Sequence, residues 1–442
     1  MILRRLFVTY GRRSTSMTTV SLLTLRCTRI VTETSAAEAK LSFPDKIRRE
    51  QEHRLSEQRV LPSDHRKFPA MEAGTLENGR VTLGPSSSSS RTTDWLHLKF
   101  AHKDPEVGVI TSIALSPDSE LLAAAWDSNA VTIWRLRDGL TVRHLEEGGH
   151  TDTVWSIAFS PDSKHIVSGS ADSNAIVWEV RSGKVVSYLC GHSAAVVAVA
   201  YSPDGTLIAT SSADRTVKVW DASHAATLHT FTLDSDIRHI LFSPDGSRLA
   251  ACWDIAATIW NPRDGMQVVT LKGHSSAVWC MAFSSDGNRV ITGSQDTTAR
   301  IWDASSGSAL VILHEHTGSV RSVAFLPDGA EVATASYDGT IVLCDSWTGE
   351  QLRKVGDEEF SLVGEAMAYS LNNDLIASGG ADGNVRVWSR ESGALVADFQ
   401  GHEASIANVA FTPNGRDLVS WADDCTIRSW SVCDTLRLVC LT

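Results

Sequence analysis

The sequence predicts an all-β fold built from eight repeats, because three marks recur over residues 95–442 at a spacing of about 42 residues. The first mark is a turn whose dihedral angles are set by Pro with Asp, Asn or Gly, although the turns at Ser284 and Ser370 lack the Pro. It begins at Ser116, Ser160, Ser202, Ser243, Ser284, Leu326, Ser370 and Thr412. The second mark is the residue that ends a β-rich run: Trp134, Trp178, Trp220, Trp260, Trp302, Cys344, Trp388 and Trp430. The third is an Asp six or seven residues earlier: Asp127, Asp172, Asp214, Asp254, Asp296, Asp338, Asp382 and Asp424.

Within one repeat the pattern is of four short strands, as in Val154–Phe159, 165–168, 175–178 and Val185–Leu189. Helical periodicity is absent, and four antiparallel strands per repeat are typical of a β-propeller blade. We therefore predict eight blades, with a seven-bladed ring as the alternative. Eight blades need eight outer strands. The seven connections between repeats supply one each, and the segments at 95–100 and 436–441 are two further candidates, which makes nine. We expect the N-terminal segment to complete the last blade.

Residues 1–94 are predicted to be a disordered basic N-terminal region with a Ser-rich linker at 86–90. The first 32 residues are rich in Arg, Ser and Thr and contain no acid, which is the composition of a mitochondrial transit peptide. A disordered tail, or a true start at Met17, explains the same composition and is the favoured interpretation.

Charge is divided unevenly, with a net charge of +7 over residues 1–93 and −19 over the remainder. The acidic part repels phosphate, so nucleic acid is not an expected partner. No apolar stretch is long enough to span a bilayer. The eight Cys form no C-x-x-C pair, which favours buried free thiols in a reducing compartment. We expect an intracellular protein, cytoplasmic or nuclear, with mitochondrial import as the alternative.

The segment 149–178 contains Gly149-His150, a Ser-Pro-Asp turn, Ser168, Asp172 and Trp178, and it resembles a WD40 repeat. The resemblance covers residues 95–442. It implies a hydrogen-bonded tetrad in which His bridges the Asp and a Ser or Thr hydroxyl, and the hydroxyl meets the Trp N–H. Four repeats match at every position: His150, Ser168, Asp172, Trp178; His192, Thr210, Asp214, Trp220; His274, Thr292, Asp296, Trp302; and His402, Ser420, Asp424, Trp430.

The other four repeats depart from this tetrad, and we expect their blades to be less rigid. The sixth has Cys344 in place of Trp, and the seventh lacks the Gly-His pair. In the fourth, Leu233 and Ala250 align with the His and the hydroxyl, and in the first, His102 is displaced by extra residues.

No catalytic residue, metal site or cofactor is predicted. A hydrolase has one Ser–His–Asp set beside an exposed nucleophile, whereas here the set recurs at the repeat interval. His314 and His316 flank Glu315, but His316 takes the tetrad position and no second ligand pair stands nearby. A propeller enzyme is the alternative of another class, and Glu365 is the one acid it could use in the channel-facing series.

One position of each repeat predicts a partner-binding face. In the family that the chain resembles, the residue four before the end of the first strand reaches the surface around the central channel. Here this channel position holds Thr111, Trp155, Val197, Arg238, Trp279, Arg321, Glu365 and Ala407. Trp and Arg are enriched at binding hot spots, so we assign Trp155, Arg238, Trp279, Arg321 and Glu365 to this face. Trp126, Trp253 and Tyr337, each just before a turn Asp, either extend it or pack between blades.

The predicted function is therefore a non-enzymatic scaffold or adaptor that binds proteins or peptides on the propeller face. The alternative is a subunit of a regulatory complex, such as a transcriptional corepressor or a ubiquitin-ligase substrate receptor. The resemblance does not choose between them, because this fold hosts many functions.

Overall fold

The computed structural model describes the backbone of residues 3–9, 21–27, 98–103, 108–356, 362–370 and 374–432, and the side chains of 108–356, 366–370 and 374–432. The described chain is all β, without a helix. It forms eight four-stranded antiparallel sheets in an eight-bladed propeller, which confirms the predicted fold. The seven-bladed alternative is wrong.

The sheets are numbered in chain order from the channel-side strand to the outer strand. Blades 1 to 4 consist of β4 (Ile110–Leu115), β5 (Leu121–Trp126), β6 (Val131–Arg135), β7 (Thr141–Leu145); β8 (Val154–Phe159), β9 (His165–Ser170), β10 (Ala175–Glu179), β11 (Val185–Leu189); β12 (Val196–Tyr201), β13 (Leu207–Ser212), β14 (Thr216–Asp221), β15 (Thr227–Thr232); and β16 (Ile237–Phe242), β17 (Leu249–Trp253), β18 (Ala256–Trp260), β19 (Gln267–Lys272).

The second half of the ring continues the same order. Blades 5 to 8 consist of β20 (Val278–Phe283), β21 (Arg289–Ser294), β22 (Ala299–Asp303), β23 (Ala309–Leu313); β24 (Val320–Phe325), β25 (Glu331–Ser336), β26 (Ile341–Asp345), β27 (Gln351–Val355); β28 (Leu362–Tyr369), β29 (Leu375–Gly380), β30 (Val385–Ser389), β31 (Leu395–Phe399); and β32 (Ile406–Phe411), β33 (Asp417–Ala422), β34 (Thr426–Ser431) with β3 (Leu98–Lys103).

The last blade contains strands from both ends of the described propeller. β3 pairs antiparallel with β34, with Leu98 opposite Trp430 and Lys103 opposite Thr426. The N-terminal segment therefore completes the last blade, as expected. The competing segment at 436–441 lies outside the described residues.

An antiparallel pair, β1 (Leu3–Thr9) and β2 (Ser21–Cys27), precedes the propeller in the chain. Its backbone lies against the channel-side strands β12, β16, β28 and β32. The exposed fractions of the side chains around the channel are those of the chain with this strand pair in place. Apart from these two strands, the region predicted to be disordered lies outside the described residues.

Burial falls from the channel-side strand to the outer strand of each blade. In β8 every residue is buried, whereas β11 alternates between partly buried and exposed positions before its buried Leu189. A channel-side strand is covered on both faces by the neighbouring blades and is mostly apolar, whereas an outer strand buries one face only. The core is accordingly a series of apolar layers between successive blades.

Candidate functional site

In the four blades with a full match, the structure brings each tetrad together. The His Nδ1 atom lies 2.8 Å from the Asp carboxylate in blade 2, 3.0 Å in blade 3, 2.9 Å in blade 5 and 3.3 Å in blade 8. The His Nε2 atom lies 2.7–2.8 Å from the hydroxyl in all four. The Trp indole N–H donates to the same hydroxyl at 2.8–2.9 Å.

The protonation equilibria of the tetrads fit a structural role. Burial lowers the pKa of His192, His274 and His402, although a neighbouring Asp opposes the shift, so these rings are held neutral. Burial alone would raise the pKa of Asp214. Hydrogen bonds from Thr216 and the Ser193 backbone N–H, with the nearby His192, outweigh it and lower that pKa to about 2. The hydroxyl between them is buried and already bonded to His and Trp, unlike an exposed nucleophile.

Blades 1 and 4, which lack the tetrad His, contain a different polar pair. Trp126 at the end of β5 donates its indole N–H to Thr132 at 3.2 Å, and Trp253 at the end of β17 donates to Thr258 at 3.0 Å. The Trp126 ring meets the Trp134 ring edge-on at 6.3 Å and 70°. In blade 2 the tetrad His contacts Trp178 in nearly the same way, at 6.5 Å and 64°. The turn Trp therefore stands in for the His.

These contacts favour packing over the binding face for Trp126 and Trp253. Trp126 is 1% exposed in an apolar cluster shared by blades 1, 2 and 8, and Trp253 is partly buried against a cluster of blades 3 and 4. Tyr337 differs from them, since it is 41% exposed and lies beside the Arg321 guanidinium at 4.4 Å.

The seventh blade replaces the missing His with an arginine. The Arg386 guanidinium donates two hydrogen bonds to Asp382, one of them at 3.3 Å, and its side chain is buried. Trp388 donates to Ser378 at 2.8 Å, so the other half of the tetrad is retained.

The sixth blade keeps His316, Thr334 and Asp338 in tetrad geometry, with contacts of 2.8 and 2.9 Å. The Thr334 hydroxyl accepts no indole N–H and lies 3.3 Å from the Val342 carbonyl, to which it donates. Cys344 fills the Trp position, and burial raises the pKa of its thiol to about 12. The thiol is therefore a packing group.

Sequence reasoning missed Thr132, Thr258 and Arg386, although a signal for them exists. All three stand two residues before the strand-ending Trp. That position holds Ile176, Lys218, Arg300, Val342 and Arg428 in the blades with a tetrad His. In a repeat without the Gly-His pair, a residue at this position that can hydrogen-bond to the tight turn therefore indicates the group that replaces the tetrad His.

The channel position is set by a β-bulge that recurs around the ring. The pairing register of the first strand shifts across Trp155, across Arg238, across Trp279 and across Arg321, so the register skips each of these residues. A bulge re-aims the side chain of the extra residue. Glu365 also lies within such a shift in β28, but its side chain is outside the described residues.

Three blades join their bulge residues in a cation–π stack, which we call the Arg–Trp–Arg stack (Arg238, Trp279 and Arg321). The Trp279 ring lies between the two guanidinium groups, at 4.4 Å from Arg238 and 3.8 Å from Arg321. Trp279 is fully buried and its indole N–H has no hydrogen-bond partner among the described residues. Trp155 lies apart, packed against Ala195 and Val197 of blade 3.

The described residues hold no group of three or more His, Cys, Asp or Glu side chains arranged to bind a metal. No described helix could cross a membrane. The five cysteines whose side chains are described are all free thiols: Cys252, Cys280 and Cys344 are buried, Cys425 is partly buried and Cys190 is exposed.

Comparison with known proteins agrees with the repeat geometry. The family described as "WD domain, G-beta repeat" matches residues 141–179, 183–221, 265–303, 307–345, 361–389 and 393–431, about half of the chain. The chain belongs to the WD40 repeat family. The six matched WD40 repeats end in blades 2, 3, 5, 6, 7 and 8, and the unmatched units are blades 1 and 4, in which Trp and Thr replace the tetrad.

Individual WD40 relatives match over short segments. The chain is 37% identical over 67 residues to periodic tryptophan protein 2 homolog of Neurospora crassa, 38% over 72 residues to nuclear distribution protein nudF 2 of Talaromyces marneffei, and 36% over 93 residues to GID complex subunit 7 of Schizosaccharomyces pombe. These matches span 15–18% of this chain and only 8–18% of each relative.

Among solved structures, the crystal structure of the computationally designed Ika8 protein superposes with a TM-score of 0.66 at 27% identity. The superposition covers 74% of this chain and 97% of that protein.

Proposed function

We propose that this WD40 protein is a non-enzymatic scaffold that binds protein or peptide partners on the face around its central channel. The proposal rests chiefly on the Arg–Trp–Arg stack, which spans blades 4, 5 and 6. Its two guanidinium groups, held against one indole ring, combine the positive charge and the Trp and Arg side chains that are enriched at binding hot spots. GID complex subunit 7 is by name a subunit of a complex, which is consistent with this role.

The chemistry of the stack favours a partner segment that carries carboxylates or carbonyl groups. Arginine presents a fixed fork of N–H donors, and a carboxylate accepts two of them at once. The chain after residue 93 carries a net charge of −19, and the two arginines of the stack place positive charge together within this acidic part. We place these partners in the cytoplasm or nucleus. The subunit of a regulatory complex is the more specific form of the same proposal.

The test compares variants of the full chain as baits in quantitative affinity purification. Arg238→Gln with Arg321→Gln keeps most side-chain volume while removing both charges, and it is expected to abolish capture of the proteins that bind the wild type specifically. Leu310→Ala on the outer strand of blade 5, where Leu310 is exposed, is the control. If the double variant melts like the wild type and captures the same partners, the channel face is not the binding surface.

The enzyme alternative has one residue to test. Turnover of any hydrolase substrate that is lost in Glu365→Gln, but kept in the arginine double variant, would overturn the scaffold proposal.

A further inference from the structure

On the face formed by the turns that join first to second strands, a cavity of about 310 Å³ separates blades 2 and 3. We call it the blade 2/3 cavity. It is lined by Ser160, Pro161, Asp162, His165, Val177, Val186, Tyr201, Asp204, Gly205, Ala222 and Ser223. It lies in the turns that follow β8, β12 and β14, whereas the Arg–Trp–Arg stack is at the opposite ends of the first strands. It is therefore a separate site.

The boundaries between blades 3 and 4, 4 and 5, 5 and 6, and 6 and 7 show which group fits at the equivalent position. At each of them an arginine of the chain bonds to the neighbouring blade. Between blades 5 and 6, Arg289 reaches from the start of β21 into blade 6. Its guanidinium donates to the Gly329 carbonyl at 2.7 Å and to the Ser346 hydroxyl at 2.9 Å. It also lies over the Phe325 ring at 5.1 Å and the Trp347 ring at 3.8 Å.

The other three boundaries use related contacts. Between blades 4 and 5, Arg248 donates to the Gly287 carbonyl and to Ser305 at 2.8 Å. Between blades 3 and 4, Arg263 donates to Asp204 at 2.6 Å.

Between blades 6 and 7, Arg390 pairs with Glu331 at 2.9 Å and lies 3.8 Å from Asp328. Four successive boundaries thus place a guanidinium against a turn Asp, or against a Gly carbonyl, of the neighbouring blade.

The blade 2/3 cavity has the acceptors but lacks the arginine. Tyr201 stands where Phe325 lies under Arg289, and Gly205 stands where Gly329 accepts. Ala222 takes the position of Arg390, Ser223 that of Arg263, and His165 that of Arg248 and Arg289. The shorter side chains at these three positions leave the space that arginines fill elsewhere.

Two polar groups in the cavity wall point to a cationic ligand with hydrogen-bond donors. Tyr201 is 92% buried, and its hydroxyl makes no hydrogen bond among the described residues. Burial raises the pKa of this hydroxyl, so it stays a neutral donor and acceptor. Asp162 uses one carboxylate oxygen for Ser160, at 2.6 Å, while its other oxygen has only the exposed Lys164 at 3.5 Å.

We propose that the blade 2/3 cavity binds an arginine side chain of a protein partner. The guanidinium lies over the Tyr201 ring and donates to Asp162 and to the Gly205 carbonyl, as Arg263 and Arg289 do at their own boundaries. Pro161, Val177 and Val186 cover the aliphatic stem. A basic partner segment also complements the net charge of −19 carried by the chain after residue 93. The site is a second docking point, and it does not depend on the channel face.

The test uses the full chain and three short capped peptides that are identical except for a central Arg, Lys or citrulline. Citrulline keeps the shape of Arg without its charge. We expect the Arg peptide to bind in the high micromolar to millimolar range, as one anchored side chain allows. Citrulline should lower the affinity at least tenfold, and saturation-transfer NMR should place the closest contact at the guanidinium end of the side chain.

Two variants and a control locate the binding. Ala222→Arg supplies the cavity with an arginine from the chain, as Arg390 does in blade 7, and should abolish binding of the Arg peptide while keeping the melting temperature of the wild type or raising it. Asp162→Asn should weaken binding about tenfold, the effect of one lost charged hydrogen bond. Asp286→Asn, at the same position of blade 5, where Arg289 is already in place, should bind as the wild type.

Three outcomes overturn the proposal. The first is equal binding of the Arg and citrulline peptides, and the second is unchanged binding by Ala222→Arg. The third is no binding of the Arg peptide to the wild type at millimolar concentration. If in that third case Asp162→Asn lowers the melting temperature of the full chain by clearly more than Asp286→Asn, which removes the same local turn bonds, an arginine of the chain's own N-terminal region occupies the cavity instead of a partner.

Discussion

Blades 1 and 4 and the tetrad blades 2, 3, 5 and 8 reach the same blade geometry with different buried polar groups. A tetrad joins four side chains from three segments, and its hydroxyl serves both His and Trp. Blades 1 and 4 use one indole N–H and one Thr hydroxyl, which has a second contact at 3.3 Å on the outer strand. The blade fold therefore requires satisfied polar groups beside the tight turn, and it does not require the tetrad itself.

The two kinds of blade differ in how much depends on one side chain. In blade 1 the turn Trp is both the packing group and the hydrogen-bond donor. In a tetrad blade these tasks are divided between His and the strand-ending Trp. Removal of a single residue should consequently have different costs in the two kinds of blade.

The largest effect is expected for Trp126→Ala. Trp126 is 1% exposed and contacts Trp134, so its truncation leaves a cavity and should cost about 3–5 kcal/mol of unfolding free energy. Trp253→Ala is the matched variant in blade 4, and it should cost clearly less because Trp253 is only partly buried. Urea unfolding followed by far-UV circular dichroism measures both. An equal or larger loss for Trp253→Ala would mean that the burial of the turn Trp does not determine how much it stabilises its blade.

The next largest effect is expected for Thr292→Val in blade 5. This change leaves the His274 ring and the Trp302 N–H without their shared partner, at about 1–3 kcal/mol for each buried group. Thr258→Val in blade 4 removes the partner of the Trp253 N–H and should cost about 1 kcal/mol. Equal losses of unfolding free energy in the same urea experiment would show that the Thr292 hydroxyl of the tetrad stabilises the fold no more than the Thr258 hydroxyl of blade 4 does.

A smaller loss, of about 2 kcal/mol, is expected for Arg386→Leu, since it removes the charged donor to Asp382 in blade 7. Arg300→Leu is the control at the same position of blade 5, where His274 already bonds the turn Asp. It should change the melting temperature little. Similar shifts for the two variants would indicate that Arg386 does not replace the tetrad His.

The smallest effect is expected from mild acid. The folded-state pKa values of His192, His274 and His402 lie below the ordinary value near 6.5, so the unfolded chain binds more protons there. The unfolding free energy is therefore unaffected by these rings above pH 6.5, and it decreases as the pH falls below that value, because the unfolded chain then takes up protons that the folded rings do not. The tetrad Asp residues, with lowered pKa values, add a further loss only below pH 4, towards about pH 2 for Asp214.

Calorimetric scans between pH 7.5 and 5.5 measure the His part of this dependence. A melting temperature that stays constant or rises as the pH is lowered would contradict the assignment of neutral, buried His rings.

Much of the fold was predictable from the sequence, since the turns, the strand-ending Trp residues and the turn Asp residues recur in register. The positions of the tetrads followed from the same register. The substitutes did not, because a Thr two residues before Trp260 is meaningful only when Trp253 is known to lie against it. Repeat patterns report what blades share, whereas these contacts depend on how one blade differs from the others.

For the proposed binding face, the sequence predicted only a list of positions. The bulges at Arg238, Trp279 and Arg321, and the stacking of their side chains, depend on the spacing of neighbouring blades in three dimensions. The blade 2/3 cavity had no sequence signal until it was compared with the arginines at the four boundaries that follow it.

The pairing of β3 with β34 has a consequence for the order of folding. The last blade needs a strand from each end of the propeller, so a ribosome must complete the third strand of that blade before the first strand of the propeller finds its partner. Joining ends so far apart in the chain is a slow, high-contact-order step, and until it happens β34 offers an open edge. Folding of this ring therefore has a vulnerable interval that ends only at closure, during which chaperones would find the exposed edge.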